Sequence, residues 1–321
     1  MSAGTGKDGR PTGRGDERRR EATDRDDDPD PALTPLTRTQ AARLVRLAEN
    51  AVRERGLSMQ YDGAGALVRV GSDGAPVQND MVAGLVNLAR TVAMLPRQQW
   101  RSAVAAHFDQ MSSPDVPPIP DDLESELYLR VVCAATIDPA WAEHVPEFVP
   151  GVLTVPASYT GRAVAMHFDT DRLGVSAAEA TRMGVANLRR LQDEVERIEY
   201  AGAEIAALTG SMFTASRALV LDTVLRESLQ VENPPFGCLV AMPARDLLLV
   251  HVLRDQTVVN VLEMLARVVP TLFGSRPGPV SPHVYYVRDH EWQQVTDHST
   301  GEVRVQTVGR LFDTMQGLGV G

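Results

Sequence analysis

The stretch MPARDLLLVHVLRDQTVVNVLEML, residues 242–265, contains the signals that decide the fold. A short polar turn precedes Leu247–Leu253, a run that is apolar on both faces apart from His251. A run of this kind is typical of a strand in the covered centre of a sheet. From Gln256 onward, apolar residues recur at helical spacing. The stretch therefore predicts a hairpin and then a helix, with His251 as a neutral, hydrogen-bonded core residue and Asp255 as the residue that begins the helix.

The same plan recurs twice before this stretch. Helices are predicted to start near residues 176, 213 and 256, and each is followed by a pair of strands. We expect an α+β fold in which antiparallel sheets carry helices packed on one face. A stacked array of helix-hairpin units is the alternative, since a spacing of this order also occurs in repeat proteins. The strand near Tyr285 mixes polar and apolar residues, which predicts an edge.

Five regions are predicted along the chain. Residues 1–35 are rich in Gly, Pro and mixed charge, which predicts a disordered tail. Residues 36–111 form a small α-β-β-α-α region, which begins at a capping box of Thr37 and Gln40 and has its second helix near Asp80–Met94. The remaining regions are a proline-rich linker at 112–122, a main α+β domain at 123–297 and a poorly ordered segment at 298–321.

Composition limits the classes of partner. The 42 acidic residues outnumber the 32 basic ones, a net charge of −10, which argues against nonspecific nucleic-acid binding. No apolar run approaches the roughly 20 residues of a membrane span. Cys133 and Cys238 lack the spacing of a zinc or disulfide framework and lie in apolar runs, which favours buried, inert thiols. These features predict a cytoplasmic protein without a cofactor, a nucleic-acid partner or a membrane.

Short motifs in the second half resemble those of a bacterial family. They are Asn187-Leu188 at a helix end, Ala215-Ser216-Arg217 at a helix start, and the hairpin from Pro243 to Val250. Together they resemble the YtpQ-like family, a domain of unknown function. The resemblance covers about residues 125–297 and implies this order of elements and a cytosolic bacterial setting. It implies no activity.

The segment AVAMHFDTD, residues 163–171, is the best candidate for chemistry. Strand alternation places His167 and Asp169 on one, half-exposed face, with Asp171 just beyond the strand end. A histidine and two carboxylates this close are typical of a divalent-metal site or an acid/base pair. A turn before the helix that starts at Ser176 explains the same aspartates, because Asp bonds to its own backbone there. No metal ligand set is assigned.

The segment LTGSMFTASR, residues 208–217, is a second candidate. A glycine and hydroxyls at a helix N-terminus can bind phosphate, and Arg217 and Arg245 are two of several arginines placed near helix ends and turns. Ser211 or Thr214 acting as a helix cap accounts for the same residues.

The sequence favours a binding protein over an enzyme. No convergent catalytic motif occurs, whereas several sheet edges could accept a strand of an unidentified protein or peptide partner, or of a second copy of the chain. The alternatives are a metal-assisted or acid/base enzyme that uses His167, Asp169 and Asp171, and a small-molecule or nucleotide binder near residues 209–217.

Overall fold

The computed structural model describes residues 28–71, 82–111, 119–137, 139–159, 164–298, 303–306 and 308–320. The chain divides into two compact units, with the boundary between Phe108 and Asp109. The boundary lies close to the predicted linker, whose residues 112–118 fall outside the described part.

In its described residues the first unit combines three α-helices with a three-stranded antiparallel sheet of order β1-β2-β3. Helix α1 begins with the predicted capping box, in which Thr37 accepts from the Gln40 amide and Gln40 accepts from the Thr37 amide. The elements are α1 (Arg38–Glu54), β1 (Met59–Tyr61), β2 (Ala66–Arg69), β3 (Val82–Gly84), α2 (Val86–Ala93) and α3 (Trp100–Met111).

Two predictions for this unit are wrong in detail. Val82–Gly84 is a third strand rather than part of the second helix, which begins at Val86. Order also starts before Thr37, because Leu33 and Leu36 are buried and Asp30 caps the turn that carries them. Residues 1–27, Asp80 and Met81 lie outside the described residues.

The second unit is built on a six-stranded antiparallel sheet of order β13-β12-β10-β11-β9-β8. The hairpin predicted from residues 242–265 forms its centre, where Leu247 pairs with Ala244 across the turn. The strands are β8 (Glu194–Tyr200), β9 (Ala203–Thr209), β10 (Cys238–Ala244), β11 (Leu247–Val252), β12 (Val284–Arg288) and β13 (Glu291–Gln294). The predicted α+β class is confirmed.

A smaller sheet and the helix α6 lie beside this centre. In this sheet β6 pairs with β4, β5 and β7. Helix α6 (Ala177–Arg190) starts at the predicted position, where Ser176 and Glu179 form a capping box, and packs on β4. The strands are β4 (Leu127–Cys133), β5 (Glu147–Val149), β6 (Val152–Tyr159) and β7 (Val164–Met166), and the short helices are α4 (Leu123–Glu126) and α5 (Pro139–Ala142).

Both faces of the six-stranded sheet are covered, not one as predicted. One face packs on α8 (Val258–Ser275) and on α9 (Arg310–Gly317). The other packs on the helical segment 215–228 and on Val131, Val149 and Val152 of the smaller sheet. The apolar character of β11 on both faces required cover on each side.

Three further predictions change in this unit. Segment 215–228 is helical but irregular, with a 3₁₀ stretch at Ala215–Val220, the short helix α7 (Leu221–Thr223) and a π stretch at Val224–Ser228. Strand β12 lies inside the sheet, and β13 is the edge. The predicted poorly ordered segment 298–321 contains α9, because Leu311 and Met315 share a helical face and are buried in the core.

The last strands and one apolar helix complete the unit. β14 (Thr296–Asp297) pairs with β15 (Arg304–Val305). Helix α8 is long and apolar enough to cross a membrane by length and composition alone. Six of its residues are buried inside the second unit, where the helix packs against β10 of the sheet.

Candidate binding cleft

The predicted cluster around His167 is not assembled as a metal site. His167 is buried, where the sequence predicted a half-exposed face, and its Nε2 lies 2.8 Å from Oγ of Ser158 on β6. Burial, aided by the charge of Arg172, lowers the pKa of His167 and favours the neutral ring. Asp169 and Asp171 are exposed, and Asp169 accepts the Asp171 amide at 3.1 Å. Within the described residues no three His, Cys, Asp or Glu side chains form a metal-binding group.

Residues 209–217 use their polar groups internally. The Ser211 amide donates to Thr214 Oγ1 at 3.0 Å, and the Phe213 amide donates to Ser211 Oγ at 3.1 Å. Both hydroxyls therefore accept from amides of the preceding turn, but the N-cap residue Thr214 makes no side-chain capping bond to the helical stretch, so the helix-cap interpretation is wrong in this detail. Arg217 is turned inward, where it forms an ion pair with Asp193 at 1 % side-chain exposure on both sides. It is not available to a phosphate at this end of the segment.

His251 is a core residue, as predicted. It is 3 % exposed, and its Nδ1 lies 2.8 Å from the carbonyl oxygen of Glu204 on the neighbouring strand. Burial lowers the pKa of His251, although the Glu204 carbonyl opposes the shift. Asp255 is exposed and accepts from the amide and the hydroxyl of Thr257 at the start of α8. The two residues thus have separate structural roles.

A cleft of about 1180 Å³ opens over one end of the six-stranded sheet. Four separate parts of the second unit form it: the β5–β6 turn, the helical segment 215–228, the loop 231–237 and the β12–β13 turn. Its apolar lining consists chiefly of Phe148, Leu219, Leu225, Val231, Val287 and Trp292. Its charged and polar rim consists of Asp222, Arg226, Glu232, Arg288, Asp289 and His290.

Aromatic packing holds the apolar lining in place. The Trp292 ring lies edge-on to Phe148, with the ring centres 4.8 Å apart, and contacts Tyr285 at 5.8 Å. Tyr285 and Tyr286 are fully buried. Trp292 remains half-buried, so part of its ring is available to a ligand.

The rim carries charges of both signs. Asp222 lies 3.8 Å from Arg189, and Arg288 lies 3.6 Å from Asp289, which Arg310 also contacts at 3.2 Å. Three carboxylates and two guanidinium groups line the cleft, so the formal charges of these five groups sum to −1. A rim of this kind does not favour a phosphate-rich ligand, which needs a net positive site.

The cleft contains a thiol that is not activated. Cys238 is buried, and burial raises the pKa of its thiol to about 12. The thiol therefore stays protonated at neutral pH, whereas a nucleophilic cysteine needs a lowered pKa. Cys133, the other free cysteine, is only partly buried, where the sequence predicted full burial.

Sequence reasoning did not identify the residues of this cleft. Asp222, Arg226, Glu232 and Phe148 belong to three different segments, and none carries a motif. The nearest signal is the run Pro234-Pro235, which marks a loop but not what the loop faces.

Comparisons with known proteins returned no relative. The chain matches no protein-family model, no curated protein and no solved structure. The resemblance to the YtpQ-like family stays a prediction that depends on the short motifs given above.

Proposed function

We propose that the protein is a non-enzymatic binding module that holds a segment of a partner polypeptide in the cleft. The observation that carries the proposal is an apolar floor beneath a rim with charges of both signs. A polypeptide segment matches both features, since it offers apolar side chains for the floor and mixed polar groups for the rim. The aromatic residues Phe148 and Trp292 are of the type that supplies most binding energy at protein interfaces.

Size also favours a polypeptide. Pockets for small molecules and cofactors usually enclose about 300–1,000 Å³. The cleft, at about 1180 Å³, exceeds that range. An extended segment of several residues would occupy it more completely than a metabolite.

The chemistry of the lining argues against catalysis in the cleft. The Cys238 thiol is held protonated. Asp222, Asp289 and Arg288 are engaged in ion pairs on the rim, where carboxylates and guanidinium groups commonly serve recognition. Binding without turnover is therefore the simplest role for this set of residues.

The proposed setting is the bacterial cytoplasm. Cys133 and Cys238 are both free thiols, which is usual in a reducing compartment. The resemblance to the YtpQ-like family points to the same setting.

A second candidate function is self-association through strand β8. This seven-residue strand has β9 as its one neighbour in the described sheet, and residues 196–200 are all exposed. Ile198 and Tyr200 keep 40 % and 42 % of their surface exposed. An unpaired edge of this length can accept a strand from a second copy of the chain.

The cleft is tested by peptide selection with the full chain. Peptides are selected from a random phage-displayed library and their dissociation constants are measured by fluorescence anisotropy. Leu225→Glu, in the floor, is expected to weaken binding of the selected peptides at least tenfold. Ile198→Glu on β8 makes the same chemical change outside the cleft and is expected to leave binding unchanged, with thermal melting to verify that both variants fold. Peptides that bind the Leu225→Glu variant as well as the wild type would refute the cleft as their site.

A further inference from the structure

Glu232, in the loop 231–237, is a rim carboxylate of the cleft without a cation of its own. It is exposed, and within the part of the chain that the structure describes it forms no ion pair. The other charged side chains of the rim are paired: Asp222 with Arg189 at 3.8 Å, Arg226 with Glu227 at 2.8 Å, and Arg288 with Asp289 at 3.6 Å. Glu232 is therefore the rim charge that is left for a ligand.

The part of the rim at the β12–β13 turn is balanced in charge. The guanidinium groups of Arg288 and Arg310 are matched there by the carboxylates of Asp289 and Glu291. This part of the rim therefore has no excess of either sign with which to attract a charged ligand.

Carboxylates are in excess on the part of the rim around Arg226. A hydrogen bond from Arg226 to Glu227 raises the pKa of Arg226, and the charges of Glu227, Asp222 and Glu232 raise it as well. Arg189 balances Asp222 and Arg226 balances Glu227, which leaves the charge of Glu232 in excess. A further cation is therefore favoured beside Glu232.

The position of Glu232 is fixed next to the apolar floor of the cleft. Glu232 directly follows Val231, which lines the floor and whose amide donates to the Leu225 carbonyl at 2.8 Å. At the other end of the loop, the Tyr286 hydroxyl donates to the Phe236 carbonyl at 3.0 Å. A ligand that reaches the floor at Leu225 and Val231 therefore brings its neighbouring groups to the carboxylate of Glu232.

The backbone of the loop also favours a cation over an anion. Pro234 and Pro235 have no amide hydrogen, and the amide of Gly237 already donates to the Pro234 carbonyl at 2.9 Å. These residues give an anionic group no backbone donor. The carboxylate of Glu232, by contrast, accepts from the N–H groups of an ammonium or a guanidinium.

We propose that the polypeptide segment held in the cleft carries a lysine or arginine beside its apolar residues, and that Glu232 binds this cation. The inference rests on the proposed function of the cleft and adds the chemistry of the partner, a segment that combines apolar and basic residues. The apolar side chains supply the affinity, and the ion pair fixes the direction and register of the segment. An acidic segment is disfavoured, because it sets a like charge opposite Glu232.

Parallel selections from a random phage-displayed peptide library test the proposal, with full-length wild type, Glu232→Lys and Glu263→Lys as targets. Glu263 is an exposed carboxylate on α8, outside the cleft, so its variant makes the same charge reversal as a control. Peptides selected on the wild type and on the control are expected to be enriched in lysine and arginine next to apolar residues. Glu232→Lys is expected to select aspartate and glutamate there instead. Thermal melting verifies that both variants fold.

A double-mutant cycle then measures the ion pair. The tightest peptide of the wild-type selection, and its variant with lysine or arginine replaced by glutamine, are titrated against the wild type and Glu232→Gln by fluorescence anisotropy. The change in the peptide is expected to weaken binding to the wild type about two- to fivefold, which is what an exposed ion pair contributes. It is expected to leave binding to Glu232→Gln nearly unchanged, because the partner of the cation is already absent.

The outcomes separate this proposal from the function of the cleft. The role of Glu232 is overturned, and the cleft remains a binding site, if the peptides lose binding to Leu225→Glu but show no excess of lysine or arginine. The same holds if the selection on Glu232→Lys still favours basic residues, or if the cycle gives equal losses on the wild type and on Glu232→Gln. If no peptide is selected, or if the peptides bind Leu225→Glu as well as the wild type, the cleft itself is overturned and this proposal with it.

Discussion

Arg217 and Asp193 form an ion pair that is sealed inside the second unit, with 1 % of each side chain exposed. Ser228 supports the pair by donating to Asp193 at 3.0 Å and accepting from Arg217 at 3.2 Å. Burial raises the pKa of the Asp193 carboxyl, while Arg217 and Ser228 oppose that shift. The pair joins the start of β8 to the helical segment 215–228, two parts of the chain 24 residues apart.

Removing one member of this pair is expected to destabilise the second unit. Asp193→Asn leaves the Arg217 guanidinium buried without an anion, which costs about 3–5 kcal/mol in the free energy of unfolding. Replacing both residues by Asp193→Leu with Arg217→Met should recover most of that loss, because buried ion pairs are often no better than apolar residues of similar volume. Urea unfolding in a Trp100→Phe background measures the free energy of unfolding of both variants. The remaining tryptophans, Trp141 and Trp292, then report only on the second unit. A double variant no more stable than Asp193→Asn would contradict this account.

Gly184 and Gly274 should respond in opposite directions to the same substitution. A Cβ atom on Gly184 of α6 would lie 2.7 Å from the backbone nitrogen and from Cγ of Leu129 on β4, whereas Gly274 of α8 has open space around it. Gly184→Ala is expected to lower the free energy of unfolding by about 1–3 kcal/mol through overpacking. Gly274→Ala should raise it by up to about 1 kcal/mol through helix propensity. Urea unfolding checks both, and equal effects of the two substitutions would show that close packing at Leu129 is not the cause.

Local signals in the sequence predicted local structure well. The capping box at Thr37, the helix start near residue 176 and the turn before Leu247 lie where the sequence placed them. Each depends on residues within a few positions of one another, so neighbouring side chains and backbone are enough to specify it.

Features that depend on distant residues were not predictable in the same way. No periodicity connects Asp193 with Arg217, because only the completed fold brings them together. Strand β12 was mistaken for an edge because its tyrosines carry polar tips, and both hydroxyls are bonded inside the unit, Tyr285 to Ser281 and Tyr286 to Thr314, each at 2.7 Å. Alternation in a sequence does not distinguish such a bonded tip from one exposed to water.

The second unit is expected to lose stability as the pH falls below about 6.5. Burial lowers the pKa of His167, His251 and His283 in the folded state, so protonation favours the unfolded chain. The stability that these neutral histidines contribute is complete above the pKa of the unfolded chain. It is lost as the pH falls through 6.5 toward the folded pKa of each histidine, by up to about 1.4 kcal/mol per pH unit for each of them. Urea unfolding of His251→Gln between pH 5 and 7 should give a shallower dependence than the wild type. The exposed His144→Gln is the control, and equal slopes for wild type and His251→Gln would rule out this role of His251.

Strand β8 predicts self-association in a particular register. In an antiparallel pairing centred on Ile198, Ile198 lies opposite its own copy and Arg197 lies opposite Glu199 of the second copy. Within the chain, Glu199 lies opposite Glu204 on the neighbouring strand, and Arg197 forms its ion pair with Glu204. The register relieves this unfavourable pair of carboxylates, because it places Arg197 of the second copy opposite Glu199. Arg197→Glu should therefore abolish the dimer, since it sets like charges opposite each other at two places. Combining it with Glu199→Arg restores opposite charges in the same register and should restore the dimer. Analytical ultracentrifugation of the full chain over a range of concentrations measures each state. A monomeric wild type, or a dimer that Arg197→Glu leaves intact, would exclude this edge as the contact.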